Sequence, residues 1–305
     1  MDCNKHPSKI PITIFIPTYN CEKYIHQTLT ALLQNINGKN YQVSELIVID
    51  SFSVDSTREI IANFIKEVSK KGLEVKFLST PIKIIGYVRN LGIKCSTNEF
   101  ILMIDCDTII SRQYIEKLVE EIRKSEYTGI VRGYILYKRH KKISPLMMLL
   151  LTLENYARHL FFHAIRRTAT NYAHIGGEGI LCRKSLILRA GNFNPHLSAS
   201  EDVELARRLI KMGYKVLILP IIAYEPAKHF ESLKKWIYWI ASYSLRSKSV
   251  SLDSSSIRGF MPILKHMFIQ SVKLTIIHRN LFYAYSFLYF LLKNIIAHGV
   301  KNAIK

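Results

Sequence analysis

Cysteine is scarce and unpaired in this sequence. Cys3, Cys21, Cys95, Cys106 and Cys182 are scattered, and no Cys-x-x-Cys occurs. Neither a zinc site nor a disulfide framework is indicated, and a reducing, cytosolic setting is the default expectation. The N-terminal stretch "MDCNKHPSKIP" is polar and carries no signal-peptide core. Long apolar runs are missing too. In the last segment the longest uncharged stretch, Asn280 to Leu292, is 13 residues between Arg279 and Lys293, whereas a bilayer span needs about 20. No internal repeat is visible. Acidic residues are the largest deficit: 43 Lys and Arg face 23 Asp and Glu, a formal charge of +20. Disorder is excluded by 49% hydrophobic residues against 22% charged ones.

A charge of this sign points to an anionic partner: nucleic acid, an anionic membrane surface or a phosphorylated substrate. Its distribution discriminates. Lys138 to Arg189 holds ten Lys or Arg against Glu154 and Glu178, and Pro226 to Lys305 holds twelve against Glu231 and Asp253. These stretches are also the richest in aliphatic and aromatic residues. That mixture fits helices lying on an anionic membrane surface better than a nucleic-acid face. Trp236, Tyr238, Trp239 and Tyr243 form an expected interfacial belt beside Lys234, Lys235, Arg246 and Lys248. Core packing is the alternative use of the same rings.

The first half alternates. "ITIFIP" and "ELIVID" read as buried strands, "EKYIHQTLTALLQNI" as an amphipathic helix, and "DSTREIIANFIKEVSKKG" as a helix with Asp55 as cap and Gly72 as stop. "LEVKFLS", the short helix "GYVRNLGIKC", the strand "EFILMID" and a helix capped by Ser111 follow. Such alternation predicts an α/β fold with a mainly parallel sheet covered on both faces. Further on come the amphipathic stretch Ser144 to Arg167, a helix signal in "SASEDVELARRLIKMGY" and a strand in "KVLILP". Ligands of parallel sheets bind at the carboxyl ends of the strands, where Tyr19-Asn20, Asp50 and Asp105-Cys106-Asp107 all fall.

Two aspartates two apart at a strand end face the same side of the backbone, and each is costly to desolvate without a cation. Oxygen ligands there suit Mg2+ or Mn2+ bridging a diphosphate; capping of the next helix is the competing use. Pro17, Thr18, Tyr19, Asn20 and Glu22 form a first turn against which a nucleotide could lie. Asp50 could accept from a base N–H. Arg89, beside Asn90, could hold a phosphate or orient the aspartates, or be a surface residue.

Taken in order, Pro-x-Tyr-Asn, Asp-x-x-Ser-x-Asp-x-Thr, Gly-x-x-Arg-Asn, Asp-x-Asp and Glu-Asp resemble the family 2 glycosyltransferases of GT-A fold, over about residues 11 to 245. Composition sets 226–305 apart as a membrane-associated helical region; the resemblance implies a Rossmann-like sheet flanked by helices, a nucleotide-sugar half at about 10–110 and an acceptor half at about 111–225. It implies an inverting transfer of a sugar to a lipid-linked or saccharide acceptor in polysaccharide or glycolipid synthesis. Asp50 would contact the base, Arg89, Asn90 and Asp105 would lie near the donor, and Asp107 would be the main metal ligand, with Asp105. His229 sits where some relatives place a histidine near the metal or diphosphate; a solvated histidine beside a membrane-facing helix is the competing reading.

Asp202 would deprotonate the acceptor hydroxyl, work worth about 10²–10⁴-fold, with Glu201 in support. The same two acids would in any case stabilise a helix N-terminus. Gly176 and Gly177 would let the backbone approach a sugar, with Glu178 on a hydroxyl; a tight turn into a strand is the competing use. Where many relatives have a second aspartate after Asp50, this chain has Ser51, which leaves the base open. A nucleotidyltransferase would show a Gly-rich, basic first turn, and "PTYNCEKY" is neither. A non-enzymatic basic membrane- or nucleic-acid-binding protein would leave the aligned aspartates without a role. The expected place is the cytoplasmic face of the cell membrane, peripheral or monotopic, with no nucleic-acid partner.

Overall fold

The run Ile12 to Ile16 is apolar apart from Thr13 because its strand lies where both sheet faces are covered; all five residues are buried. The computed structural model describes residues 9–70, 72–139, 141–168, 178–197, 200–246 and 254–303. For the helix ends 163–168, 240–246, 254–264 and 294–303 the description is of backbone alone. In chain order the elements are β1 (Ile10–Thr18), α1 (Glu22–Leu33), β2 (Tyr41–Asp50), α2 (Thr57–Ser69), β3 (Glu74–Ser79), α3 (Ile85–Cys95) and β4 (Phe100–Met103). Then come β5 (Ile109–Ile110), α4 (Tyr114–Ile122), β6 (Thr128–Lys138), α5 (Pro145–Thr168), β7 (Ile180–Arg183), α6 (Lys184–Arg189), α7 (Glu201–Lys211) and β8 (Lys215–Pro226). A 3-10 turn (Lys228–Glu231), α8 (Leu233–Arg246), α9 (Ser254–His278) and α10 (Phe282–Ala303) complete the chain.

The described residues fall into two units, one within 1–134 and 171–224, the other within 135–170 and 225–305. The first carries the sheet, ordered β3-β2-β1-β4-β7-β6-β8-β5. β3, β2, β1 and β4 run parallel. β7 is antiparallel to β4 and β6, and β5 is antiparallel to β8. The register sets Thr18 beside Asp50 and Asp50 beside Ser79, so three strand ends open on one edge. β5, β6 and β7 were not expected from the sequence, and "KVLILP" is only the start of β8. Ser111 does not cap α4: that helix starts from Gln113 in a left-handed conformation, with no side-chain cap. Asp55 does cap, and the capping is reciprocal. Its oxygens accept from the N–H groups of Thr57 (3.1 Å) and Glu22 (3.2 Å), while Glu22 accepts from Ser56 N–H (3.0 Å). The starts of α1 and α2 are thereby tied together.

The second unit is helical. α5 packs on α9 and α10, and α8 packs on α10. Residues 145–168, counted with the acceptor half from sequence, therefore group with the tail, because the apolar face of α5 is buried against tail helices. Tyr137, Met147, Leu151, Ala227 and Phe230 form its core, with Trp236 and Trp239 packed against them. The Trp239 ring lies edge-on to Tyr137 (6.0 Å, 85°) and stacks on His229 (5.1 Å, 12°). The Trp236 indole donates to Tyr289 Oη at 3.3 Å. Of the expected belt, then, the two tryptophans serve the interior; Tyr238 is 70% exposed, and the Tyr243 side chain lies outside the described ones. Glu154 is buried here between Lys293 Nζ (2.6 Å) and Arg158 Nε (3.0 Å).

Candidate active site

Thr18, the buried last residue of β1, lies beside Asp50, and its hydroxyl donates to Asp50 Oδ1 at 3.0 Å. Asp50 is fully buried. Its carboxylate also accepts from Ser53 N–H (2.9 Å) and Ser53 Oγ–H (2.6 Å). Both oxygens are thus engaged, and in this structure Asp50 organises the 50–53 turn. Asn20 holds the same turn from the other side. Its N–H donates to Ser53 Oγ and its Oδ1 accepts from Val54 N–H, both at 2.9 Å. Asn20 has φ 47° and Phe52 has φ 55°, backbone regions costly for side-chain-bearing residues and tolerated where the surroundings fix them. Tyr19 stands half-exposed at the rim; Lys83 Nζ donates to its hydroxyl at 2.8 Å and lies 4.2 Å from the ring centre. The result is a turn of fixed shape with an aromatic and a cationic edge.

The centre of the site is Arg89, carried inward by α3. The helix can lie this close only because residue 86 is glycine: a Cβ there would meet Asn194 O at 2.2 Å. Asn90 lies on the same seam. Its amide donates to Phe193 O (2.8 Å) and its oxygen accepts from Phe193 N–H (2.9 Å), which clamps α3 to the 190s loop. Arg89 is buried, with Nη1 2.5 Å from Glu201 Oε1 and Nη2 3.3 Å from Asp105 Oδ1. Its Nε finds no hydrogen-bond partner among the described residues.

Asp105, Asp107, Glu178, Glu201 and Asp202 all act electrostatically on this cluster. Among the described residues two buried guanidinium groups face them, Arg89 and Arg132, the latter 3.6 Å from Glu178 Oε2. Negative charge is therefore in excess. Burial, then neighbouring Glu178, Asp107 and Glu201, push the Asp105 carboxyl up to about 6 despite the opposing pull of Arg89. Burial followed by Glu201 pushes Asp202 up to about 7, again against Arg89. Both acids sit in the first turn of α7, whose start is set by Ser200 at φ 62°. Cys106, between the two aspartates, is hydrogen-bonded to the Cys21 thiol, which raises its own thiol well above the usual range.

Arg132 and Tyr114 were not anticipated. Tyr114 Oη accepts from Gly133 N–H (2.8 Å) and donates to Gly179 O (2.9 Å), fixing the residue next to Glu178. Gly179 has φ +67°, and a Cβ there would lie 2.7 Å from Tyr114 Oη. The available signal was Arg132 inside the apolar run "TGIVRGYILY", since a buried strand rarely keeps an unpaired guanidinium. Gly176 and Gly177 lie outside the described residues. His229 belongs to the second unit, where it stacks on Trp239.

Among the described residues, no three His, Cys, Asp or Glu converge as an all-protein metal cage would require. A hard cation does not need one. Mg2+ takes one or two carboxylates and completes its shell with water and substrate phosphate. Asp105 and Asp107 supply such oxygens, and the surplus negative charge is what a cation relieves. The residues fit the ion.

Fold and site define the chain's class, that of the GT-A glycosyltransferase fold. It belongs to glycosyl transferase family 2, whose model matches residues 13–189. An uncharacterized glycosyltransferase of Mycoplasma genitalium, MG060, is 29% identical over 133 residues, 43% of this chain and 43% of that one. Among solved structures, the mannosyltransferase PcManGT of Pyrobaculum calidifontis in complex with GDP-Man and Mn2+ superposes with TM-score 0.58 at 16% identity, over 96% of this chain and 76% of that one. Residues 1–349 of Staphylococcus aureus TarS in complex with UDP give 0.52 at 16% identity, over 85% and 71%. At such identity the structures share a fold with this chain. The chain spans less than half the length of the first curated relatives it matches, between 36% and 45%.

Proposed function

We propose that the enzyme takes a sugar from a nucleotide-sugar and passes it, with inversion, to a lipid-linked or otherwise membrane-held acceptor at the cytoplasmic face of the cell membrane. The observation that carries the chemistry is the carboxylate excess around Arg89, with Asp202 pushed up to about 7. The ligands of the solved neighbours, UDP in one and GDP-Man with Mn2+ in the other, support the donor class. The basic second unit supports the membrane-held acceptor.

Asp107 and Asp105 would hold Mg2+ or Mn2+, which when bound neutralises the donor diphosphate as it leaves. Tyr19, Asn20 and the 50–54 turn give the nucleotide a rigid wall. Arg89 keeps Asp105 and Glu201 in place and screens them from one another. Asp202 accepts the proton of the acceptor hydroxyl at its carboxylate while that oxygen attacks the sugar; a base near 7 is matched to this task at neutral pH. Glu178, held by Arg132 and the Tyr114–Gly179 bond, lies on the acceptor side.

The test is release of free nucleoside diphosphate from a panel of nucleotide-sugars, with and without Mn2+. Metal-dependent release from one donor, enhanced by a membrane extract, is expected. No release from any donor with either metal sinks the assignment.

A further inference from the structure

On the described parts of α9 and α10 polar side chains share the interior with Met267 and Tyr289, while large apolar side chains face outward. On α9 the inward side chains include Gln270 and Ser271, while Phe268, Val272 and Ile276, at successive four-residue steps, point outward. On α10 Ser286 is fully buried, and the outward stripe is Tyr285, Leu288 and Leu292, with Leu281 just before the helix. The two extremes are Ser286 at 0% exposure and Ile276 at 71%. The Ser271 and Ser286 hydroxyls satisfy themselves on their own helices, on Phe268 O (2.7 Å) and Tyr283 O (2.8 Å). Water as the outer medium would select the opposite arrangement. An outer medium of hydrocarbon accounts for it: apolar residues then gain by facing out, and hydroxyls are best placed between helices.

Two more observations select the medium. From Ser254 to Lys305 there are seven Lys or Arg and no Asp or Glu. Lys265 and Lys273 are exposed on the same side of α9 as the apolar stripe, placed to carry their heads up to phosphates while their stems stay among acyl chains. Among the described residues no helix is long and apolar enough to cross a membrane. We infer that the outward faces of α9 and α10 lie in one leaflet of an anionic phospholipid membrane, with Lys265, Lys273 and Arg279 at headgroup level. This deepens the membrane-held-acceptor reading above. It assigns the contact to α9 and α10 and removes it from the tryptophans of α8.

Binding without donor or turnover tests it, so its failure is separate from failure of the catalytic assignment. Full-length protein is mixed with vesicles of phosphatidylglycerol and phosphatidylcholine, or of phosphatidylcholine alone, and floated. Binding to the anionic vesicles is expected, at least tenfold weaker on the neutral ones. The triple change Phe268→Glu, Ile276→Glu and Leu281→Glu should weaken it at least tenfold with helix content unchanged. Should that variant lose helix content, Ile276→Trp keeps the face apolar and reads the same contact: acyl chains brominated near the headgroup should quench its added fluorescence. Absence of that quenching, or undiminished flotation of a folded triple variant, overturns the inference. A lipid-free dimer that the triple change converts to monomer overturns it too, because a second copy of the chain then covers the face.

Discussion

Arg89 Nη1 and Glu201 Oε1 lie 2.5 Å apart, with both side chains almost wholly out of solvent. The pair joins α3 to α7 and sets the first turn of α7, where Asp202 lies, against the end of β4. Removing one partner of a buried ion pair leaves a bare charge and costs about 3–5 kcal/mol. Arg89→Ala should lose stability on that scale in urea unfolding at pH 7. Arg89→Lys keeps the charge but cannot bridge Asp105 and Glu201 together, and its turnover should fall at least tenfold. An Arg89→Ala protein as stable as the parent would show that the bridge contributes nothing.

Asp202 should govern the pH profile. A base held up to about 7 must lose its proton to work, so kcat/KM should rise about tenfold per pH unit below 7 and level off above. Asp202→Asn should flatten this limb and lower turnover by about 10² or more while leaving donor affinity intact. The sign for stability is opposite. A carboxyl raised above its unfolded value of about 3.9 burdens the folded state once pH exceeds that value. The Asn variant should therefore melt higher than the parent at pH 8. Greater damage from Glu201→Gln than from Asp202→Asn would exchange their roles.

Asp107→Asn should abolish the metal dependence of nucleoside diphosphate binding, measured calorimetrically with and without Mn2+, while the melting temperature barely moves. Asp107 is only partly buried, and substitutions at such positions usually change stability by about 0.5 kcal/mol. Equal affinity in parent and variant would remove Asp107 from the metal site.

The parallel half of the sheet was legible because each strand there is a continuous apolar run followed by a helix of period 3.6. β5, β6 and β7 were not. β5 is two residues long, β7 is four, and β6 carries Arg132 amid apolar neighbours, so none has the alternation that marks a strand. In the site, Arg89, Asp105, Glu178, Glu201 and Asp202 were each named from sequence, and the fold brings them together. Asp50 and Asn90 were named for their chemistry; the hydrogen bonds of Asp50 to Thr18 and Ser53 and of Asn90 to Phe193 are what only coordinates reveal. Composition marked the tail as amphipathic. It did not say which face was outward, because Trp236 and Trp239 would read alike in a belt and in a core.

The second unit has its own acid-sensitive lock. Glu154 accepts from Lys293 and Arg158, with its side chain 1% exposed. Burial alone would raise its carboxyl, but Lys293 and then Arg158 outweigh that and hold it down to about 2. The unfolded carboxyl, near 4.3, takes up its proton first as the pH falls. The stability this group gives is therefore complete above about 4.3 and drains away between there and about 2. Glu154→Gln leaves Lys293 and Arg158 facing each other in the interior, and at pH 7 it should cost about 3–5 kcal/mol. Denaturant titrations at pH 7 and pH 3 should show the gap between parent and variant narrowing at the lower pH. A gap of the same size at both would mean that Glu154 is not ionised in the folded protein.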